Sequence, residues 1–390
     1  MNNMAYHPST HSLGIALELQ AIKNPLTDAP FSEAMLMGIG GGLGAGYILW
    51  EFQAHETASI VLGFQYRWNY TTELINNAVH HLGGQSIIKE TGGQKSALHH
   101  LLKSLEEQKP TLVWVDKASL PYQHLPVSLI GHANHIITVL DQQADTFIVA
   151  DLAQAPYEIS AASLAQARHQ IPSNKNRSLS IIPPRHIDLP FAIRQGIAKC
   201  VEHLTKDSDS FSIPVYKKWA SLMTNSRKRK AWPNVFKNPN GLYQTLRSVY
   251  EGITLDQTEG YALRQVYADF LAESATYLNQ EAYQVASQHY HQLALEWQKL
   301  ADIAFPPEVA AFKESREALQ GRYAAFRKND EDSLQKHSST LERLMKQYNH
   351  AFPLDTSETT SLFRAMQDQL EKLYEAETEA LQQLKILLED

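Results

Sequence analysis

The chain has 390 residues, with 35 lysines and arginines against 42 aspartates and glutamates and a formal net charge of -7. At roughly 100–200 residues per domain this is enough for two or three domains with real cores, and the acidic balance argues against a dedicated nucleic-acid binder. The single cysteine, Cys200, excludes an intrachain disulfide and any Cys-x-x-Cys zinc or redox spacing, so a reducing compartment is expected.

The opening residues, MNNMAYHPSTHS, lack the basic and apolar regions of a secretory signal, which makes a cytoplasmic location the expectation. Residues 12–23 place Leu13, Ala16, Leu17 and Leu19 on one face of a short helix, with Ser12 as N-cap and Asn24-Pro25 as its end. A second helix is expected near Ser32, where a capping serine precedes Glu33 and the segment runs into a glycine cluster, Gly38 to Gly46. The uncharged run 34–50 falls short of a spanning helix and is broken by these glycines, so it reads as a buried tight turn and no membrane span is expected. With no leading strand and no Gly-Lys-Ser/Thr ending, the cluster fits close packing better than a phosphate loop or dinucleotide fingerprint.

Between 59 and 182, short apolar and β-branched runs (SIVLGF, SIIKE, TLVWV, HIITVL, TFIVA, SLSII) read as strands. Helical patterns intervene at 72–82 and 96–106, giving a mixed α/β or α+β domain. HIITVLDQQADTFIVAD reads as a hairpin, two apolar strands around a polar Asp-Gln-Gln-Ala-Asp turn. The proline-rich stretch 172–190 marks a linker, with a boundary near 185–190. Three-to-four spacing then predicts helices over 189–205, 214–225, 240–252, 258–279, 280–303, 307–328, 330–350 and 357–388, an all-α region. The expected division is 1–185, 186–305 and a helical extension 306–390, which suits a lid or a homo-oligomer contact equally.

The 17 histidines include the pairs His80-His81 and His99-His100, but no His-Glu-x-x-His or matching carboxylate set, and no metal is expected. The run Arg227-Lys228-Arg229-Lys230 is the sharp positive cluster and would suit an acidic partner such as a carrier protein. His135 opens one strand of the predicted hairpin and Asp151 closes the other. Pairing of those strands sets the two side by side, so that the carboxylate can fix the imidazole tautomer. Ser12, at a helix start where backbone N–H groups favour an anion, is the candidate nucleophile. His132 is the rival base, but His135 begins the apolar strand directly and is preferred.

The order of motifs THSLGIALELQ, FSEAMLMGIGGGLGAGY, VDKASLPYQHLP, GHANHIITVLDQQADTFIVADL and ISAASLAQAR resembles the family named after the butirosin biosynthesis protein H N-terminal domain. GYALRQVYADFLAESATYL and the region around Trp297 resemble the helical domain of unknown function that accompanies it. The resemblance implies a papain-like, α+β N-terminal domain followed by an all-α domain. It also implies acyl transfer from a carrier-protein thioester to an amine or hydroxyl acceptor, in secondary or lipid metabolism. The donor would be acyl-phosphopantetheine, with no cofactor bound to the chain itself. By position Ser12 would be the nucleophile, His135 the base and Asp151 its orienter.

The family has His-Cys where this chain reads His11-Ser12, and Cys200 lies in an amphipathic helix of the other domain. A hydroxyl needs fuller general-base help than a thiol, so the resemblance also leaves open a catalytically silent scaffold and, below it, a peptidase or amidase. Papain-like sites place an oxyanion-binding glutamine about six residues before the nucleophile, a position that Tyr6 takes here. Tyr6, His11, Glu33, Gly40 and Gly41 are the candidate substrate- or oxyanion-binding residues. Asp116 matches a family position too, and reads first as a strand-end turn residue.

Overall fold

Residues 7–52, 57–255 and 261–389 are described by the structure, a computed structural model. They fold as two units, each assembled from separate stretches of chain: Met1–Leu36, Ile75–Ala192 and Gly321–Ser339 form the first, and Met37–Leu74, Ile193–Gln320 and Thr340–Asp390 the second. The architecture is α+β, with the larger sheet in the N-terminal region and an all-helical C-terminal region.

The chain opens with α1 (Pro8–Leu19) and α2 (Glu33–Ile39), followed by strands β1 (Leu43–Phe52) and β2 (Thr57–Gln65). Next come α3 (Glu73–His81), β3 (Gln85–Lys89), α4 (Gln94–Glu106), β4 (Thr111–Asp116), β5 (Asn134–Gln143), β6 (Thr146–Ala150) and β7 (Tyr157–Ser160). α5 (Ala161–His169) and β8 (Ser178–Ile182) complete this region. The helices that follow are α6 (Leu189–Leu204), α7 (Pro214–Thr224), α8 (Trp232–Val235), α9 (Leu242–Thr254), α10 (Arg264–Leu278), α11 (Glu281–Ala304), α12 (Ala310–Arg327), α13 (Glu331–Tyr348) and α14 (Thr356–Ile386).

In the first unit six strands make one antiparallel sheet in the order β3-β8-β4-β5-β6-β7. β4 reads TLVWVD and is buried along its whole length, as an unbroken apolar run in a covered strand should be. One face of the sheet presents Val113, Val115, Ile137, Val139, Phe147 and Val149 to Leu101 of α4 and to Leu164 and Ala167 of α5. α1 packs on β4 and β5, and Thr138 donates its hydroxyl proton to the Ser12 carbonyl (3.3 Å). Residues 137, 138 and 139 alternate across the pleat, so α1 lies on the face opposite α4 and α5.

Two local expectations are corrected. α1 begins at Pro8 with His7 as N-cap, its Nδ1 accepting from the Ser9 N–H (3.1 Å). Proline suits the first helical position, where no N–H is needed. Ser12 therefore sits in the second turn and is not a cap. The hairpin turn is also shorter than expected: β5 runs to Gln143, and only Ala144 and Asp145 connect it to β6, with Ala144 at φ 54°. β7 is a four-residue strand, YEIS, too short and too polar to show alternation.

Stretch 321–339 adds an apolar patch to this unit. Phe326 and Leu334 pack with Leu152, Ala153, Tyr122 and Tyr157, and the rings of Tyr122 and Tyr157 stack at 4.0 Å with Phe326 continuing the stack.

The second unit joins the β1–β2 ribbon to the long helices. The glycine cluster does not form a single turn as expected: Gly40 to Gly42 turn the chain, while Gly44 and Gly46 belong to β1. Close approach explains the strand glycines. A Cβ on Gly44 would lie 2.1 Å from the Gln65 carbonyl oxygen, and one on Gly46 would strike the Trp68 indole. Tyr47 of β1 stacks on Trp219 and accepts a hydrogen bond from Trp232 Nε1 (2.9 Å). The predicted helices after residue 189 are present, and the single-turn α8 is additional. No helix among the described residues is long and apolar enough to cross a membrane.

Candidate functional site

β5 and β6 bring His135 and Asp151 together. In their register Thr138 faces Ala150, so Ile137 lies opposite Asp151 and His135 is its diagonal neighbour on the same face. His135 Nε2 stands 2.7 Å from Asp151 Oδ1, and both side chains are fully buried. Three further donors complete the carboxylate: the Leu152 N–H on Oδ1 (2.7 Å), and Gln123 Nε2 (3.1 Å) and the Tyr122 hydroxyl (3.2 Å) on Oδ2.

Burial pushes the Asp151 carboxyl upward, but His135, the Leu152 N–H and the more distant Lys117 outweigh it and hold the group below its ordinary value. The same burial, with Asp151 alongside, drives the Tyr122 hydroxyl well above its ordinary value and keeps it a donor. An ionised Asp151 is acceptor-only, so His135 donates through Nε2–H. Nδ1 then keeps its lone pair, and this buried nitrogen has no hydrogen-bond partner.

The loop that delivers His135 is itself anchored. Asp116 Oδ1 accepts from the Ala133 N–H (3.2 Å) and Oδ2 from the Ser119 hydroxyl (2.6 Å), so this residue acts in a strand-end turn. His132, the rival, is exposed in that loop.

Ser12 stands apart from the pair in hydrogen bonding. It is 2 % exposed, and its carbonyl is held by Thr138, which projects from the face of β5 opposite His135. The two ring nitrogens of His135 are accounted for, one on Asp151 and one without a partner, so the Ser12 hydroxyl forms no hydrogen bond to the imidazole.

His11 and Glu33 form a second polar group. His11 Nδ1 lies 3.0 Å from Glu33 Oε1, while Glu33 Oε2 accepts from the Thr10 hydroxyl (2.9 Å) and the His7 N–H (3.2 Å). Burial lowers the His11 pKa, but Glu33 and Asp151 more than compensate, and the net shift is upward. Glu33 thus ties the first turn of α1 to α2.

The remaining candidates are dispersed. Tyr6 lies outside the described residues. Cβ atoms on Gly40 and Gly41 would press on Leu74 and the Tyr66 ring, so both glycines serve close packing. Cys200 is buried in α6 and its thiol is pushed up to about 11 by burial, the opposite of an activated nucleophile. Arg227 to Lys230 are exposed, with Arg229 3.4 Å from Glu51 and Lys228 donating to the Ser221 hydroxyl (2.7 Å). Among the described residues no three His, Cys, Asp or Glu side chains are grouped to hold a metal.

Tyr122 and Gln123 are hydrogen-bonded neighbours of the pair that spacing did not single out. Both fall in the VDKASLPYQHLP motif, but nothing in that string shows that its tyrosine and glutamine fold back onto an aspartate 29 and 28 residues later, respectively.

An antiparallel sheet that buries a hydrogen-bonded imidazole and carboxylate, followed by an all-helical region, defines an α+β protein with an acid–base pair built into its first unit. Comparison with known families gives that class a narrower identity: residues 14–152 match the family of butirosin biosynthesis protein H, N-terminal, and residues 162–321 match a domain of unknown function (DUF4872). The N-terminal region of the chain therefore carries the butirosin biosynthesis protein H, N-terminal, family domain, with the uncharacterised domain following it. No curated protein matches the chain.

Proposed function

We propose that this chain is a papain-like acyltransferase that moves an acyl group from a carrier-protein phosphopantetheine thioester to an amine or hydroxyl acceptor, with His135 and Asp151 handling the proton. The observation that supports this most is the oriented imidazole: Asp151 fixes Nε2 while the buried Nδ1 is left unpartnered. An unsatisfied buried polar atom costs about 1–3 kcal/mol. A general base requires a free lone pair on an oriented ring, and the open Nδ1 supplies one. The family match and the order of an N-terminal helix, then a sheet bearing histidine and acid on adjacent strands, support the papain-like reading.

In the step we propose, the acceptor nitrogen or oxygen attacks the thioester carbonyl and passes its proton to His135 Nδ1. The tetrahedral intermediate expels the pantetheine sulfur, which takes that proton as the thiol leaves. Asp151 stabilises the transient imidazolium. This direct route places no demand on Ser12, whose hydroxyl has no bond to the ring. The exposed Arg227 to Lys230 offer an acidic carrier complementary charge.

One observation favours a second reading, a catalytically silent scaffold that binds a carrier or partner enzyme: the His135 and Asp151 side chains have no solvent exposure at all. Turnover of acyl-carrier thioesters with amine acceptors separates the readings. Direct transfer predicts activity that His135→Gln abolishes and Ser12→Ala preserves. An ester adduct on Ser12 by intact mass replaces the direct route with a covalent one, and absence of turnover with every donor and acceptor pair establishes the scaffold.

A further inference from the structure

His203, in the last turn of α6, is a buried titratable group that the chemistry above does not use. It is 5 % exposed, and neither ring nitrogen has a hydrogen-bond partner among the described residues. The ring packs where α6 meets the β1–β2 ribbon. The Tyr66 ring stands edge-on to it with 5.2 Å between centroids, and Gly44 of β1 lies so close that a Cβ there would come within 3.6 Å of Nε2.

The charges around the ring come from each element at this corner. Lys206, just past the end of α6, and Arg67, after β2, oppose a proton on the imidazole, while Glu202 of α6 favours one more weakly. Glu202 is also engaged by Lys199 (3.1 Å) and Lys206 (3.5 Å), and Arg67 by Glu73 (3.1 Å). Tyr66 is the other titratable side chain in contact. A neutral imidazole leaves one N–H and one lone pair unmet here. An imidazolium would leave two donors unmet and bury a full charge beside two cations.

We propose that His203 is an acid-sensitive latch: as a neutral ring it closes the end of α6 onto the β1–β2 ribbon, and uptake of a proton releases that corner of the second unit. Burial first, then Lys206 and Arg67, draw the folded pKa down to about 4. Released, the side chain titrates near the ordinary histidine value of about 6.5. The latch is therefore at full strength above the released value and weakens as pH falls between the two, with the open fraction growing about tenfold per pH unit in that interval.

The test uses the full chain. Stability to urea is followed from neutrality to about pH 4.5, the His203 ring is titrated by NMR, and hydrogen exchange over 43–67 and 196–206 is compared at about pH 7 and pH 5 after correction for intrinsic rates. Stability should fall below about pH 6.5, the folded ring should still be neutral at about pH 5, and protection should drop at the end of α6 and in the ribbon before it drops elsewhere. His203→Gln, which cannot take up a proton, should flatten the stability loss and abolish the exchange difference. Lys206→Glu, at an exposed position, should fold as the wild type does and shrink both effects, since a carboxylate there favours the imidazolium. A folded ring that titrates at the ordinary value, a decline of unchanged size in both variants, or acid-induced exchange that rises evenly along the chain would each overturn the latch.

Discussion

Among the described residues each unit fully buries a hydrogen-bonded pair of one basic and one acidic side chain, and the two pairs are finished in opposite ways. In the first, the acid is saturated: Asp151 accepts from His135, Leu152, Gln123 and Tyr122, while the base keeps an open nitrogen. In the second, the base is saturated. Arg264 donates to Glu377 Oε1 from Nε (2.8 Å) and Nη2 (2.7 Å), to the Ala262 and Gly44 carbonyls, and to the Tyr216 hydroxyl. Its guanidinium also lies over the Phe64 and Trp297 rings, and Trp297 Nε1 adds a third bond to Glu377 Oε1. Here the open atom is Glu377 Oε2. Burial outweighs the attraction of Arg264 and moves the Glu377 carboxyl upward. An imidazole nitrogen with a free lone pair can accept a proton, whereas a guanidinium has no lone pair to offer. Burial of charge alone therefore says little about function, and which partner is left open says more.

The largest effect should come from breaking the pair that has no chemistry to do. Glu377→Ala leaves Arg264 charged and buried, and should cost about 3–5 kcal/mol in denaturant unfolding. Arg264→Met with Glu377→Leu should recover most of that loss, since apolar replacements of similar volume remove both desolvation penalties. A single variant costing under about 1 kcal/mol would show that the second pair is not the structural brace this contrast requires.

Asp151→Asn should cost less, about 1–3 kcal/mol, because the amide oxygen can still accept from the His135 Nε2–H, whereas Glu377→Ala leaves the Arg264 charge without its carboxylate. The pH dependence carries a sign. A carboxyl held low in the folded state contributes stability above its unfolded value, and that contribution disappears as pH falls through the folded value. Wild-type unfolding curves should lose stability below about pH 4, and Asp151→Asn should flatten that limb. In the acyl-transfer assay the same variant should lose activity far more than its stability loss explains. A parallel loss of both would move the first pair into the structural class of the second.

Much of this contrast can be traced to what a sequence does and does not encode. Three-to-four spacing along 189–390 locates the long helices, and β-branched runs locate most strands, because those periods report burial directly. β1 is hidden, since Gly44 and Gly46 remove the side chains that would display alternation. The start of α1 is obscured by an uncommon cap, His7, ahead of Pro8. The meeting of His135 with Asp151 is legible, because hairpin pairing puts them on one face. The separation of Ser12 from that ring is not, as it depends on which face of β5 receives α1. Arg264 and Glu377 are 113 residues apart and leave no local signal of their union.

His11 sharpens the comparison from outside either pair. Its pKa is raised, so its contribution is complete below its unfolded value and lost as pH rises through the folded one. Wild type should lose about 1 kcal/mol or less across that interval, starting near pH 6.5, and His11→Gln should remove the slope while keeping a donor for Glu33. A slope that persists in the variant assigns the titration to another histidine.

The smallest effect should come from Tyr122→Phe, which trims one of four donors on Asp151 and keeps the ring stacked on Tyr157. Gln123 still occupies Oδ2, so the cost should be about 0.5–1 kcal/mol. With one donor fewer, the folded Asp151 carboxyl titrates higher, and the acid limb of the stability curve should move to higher pH without changing shape. NMR titration of the Asp151 carboxyl carbon reads the same shift directly. If the acid of the first pair is saturated in the sense argued above, removing a donor weakens its hold on the proton balance but leaves His135 oriented, so acyl transfer above pH 6 should survive almost intact. A collapse of transfer with an unmoved acid limb would place the Tyr122 hydroxyl on the substrate instead of on the carboxylate.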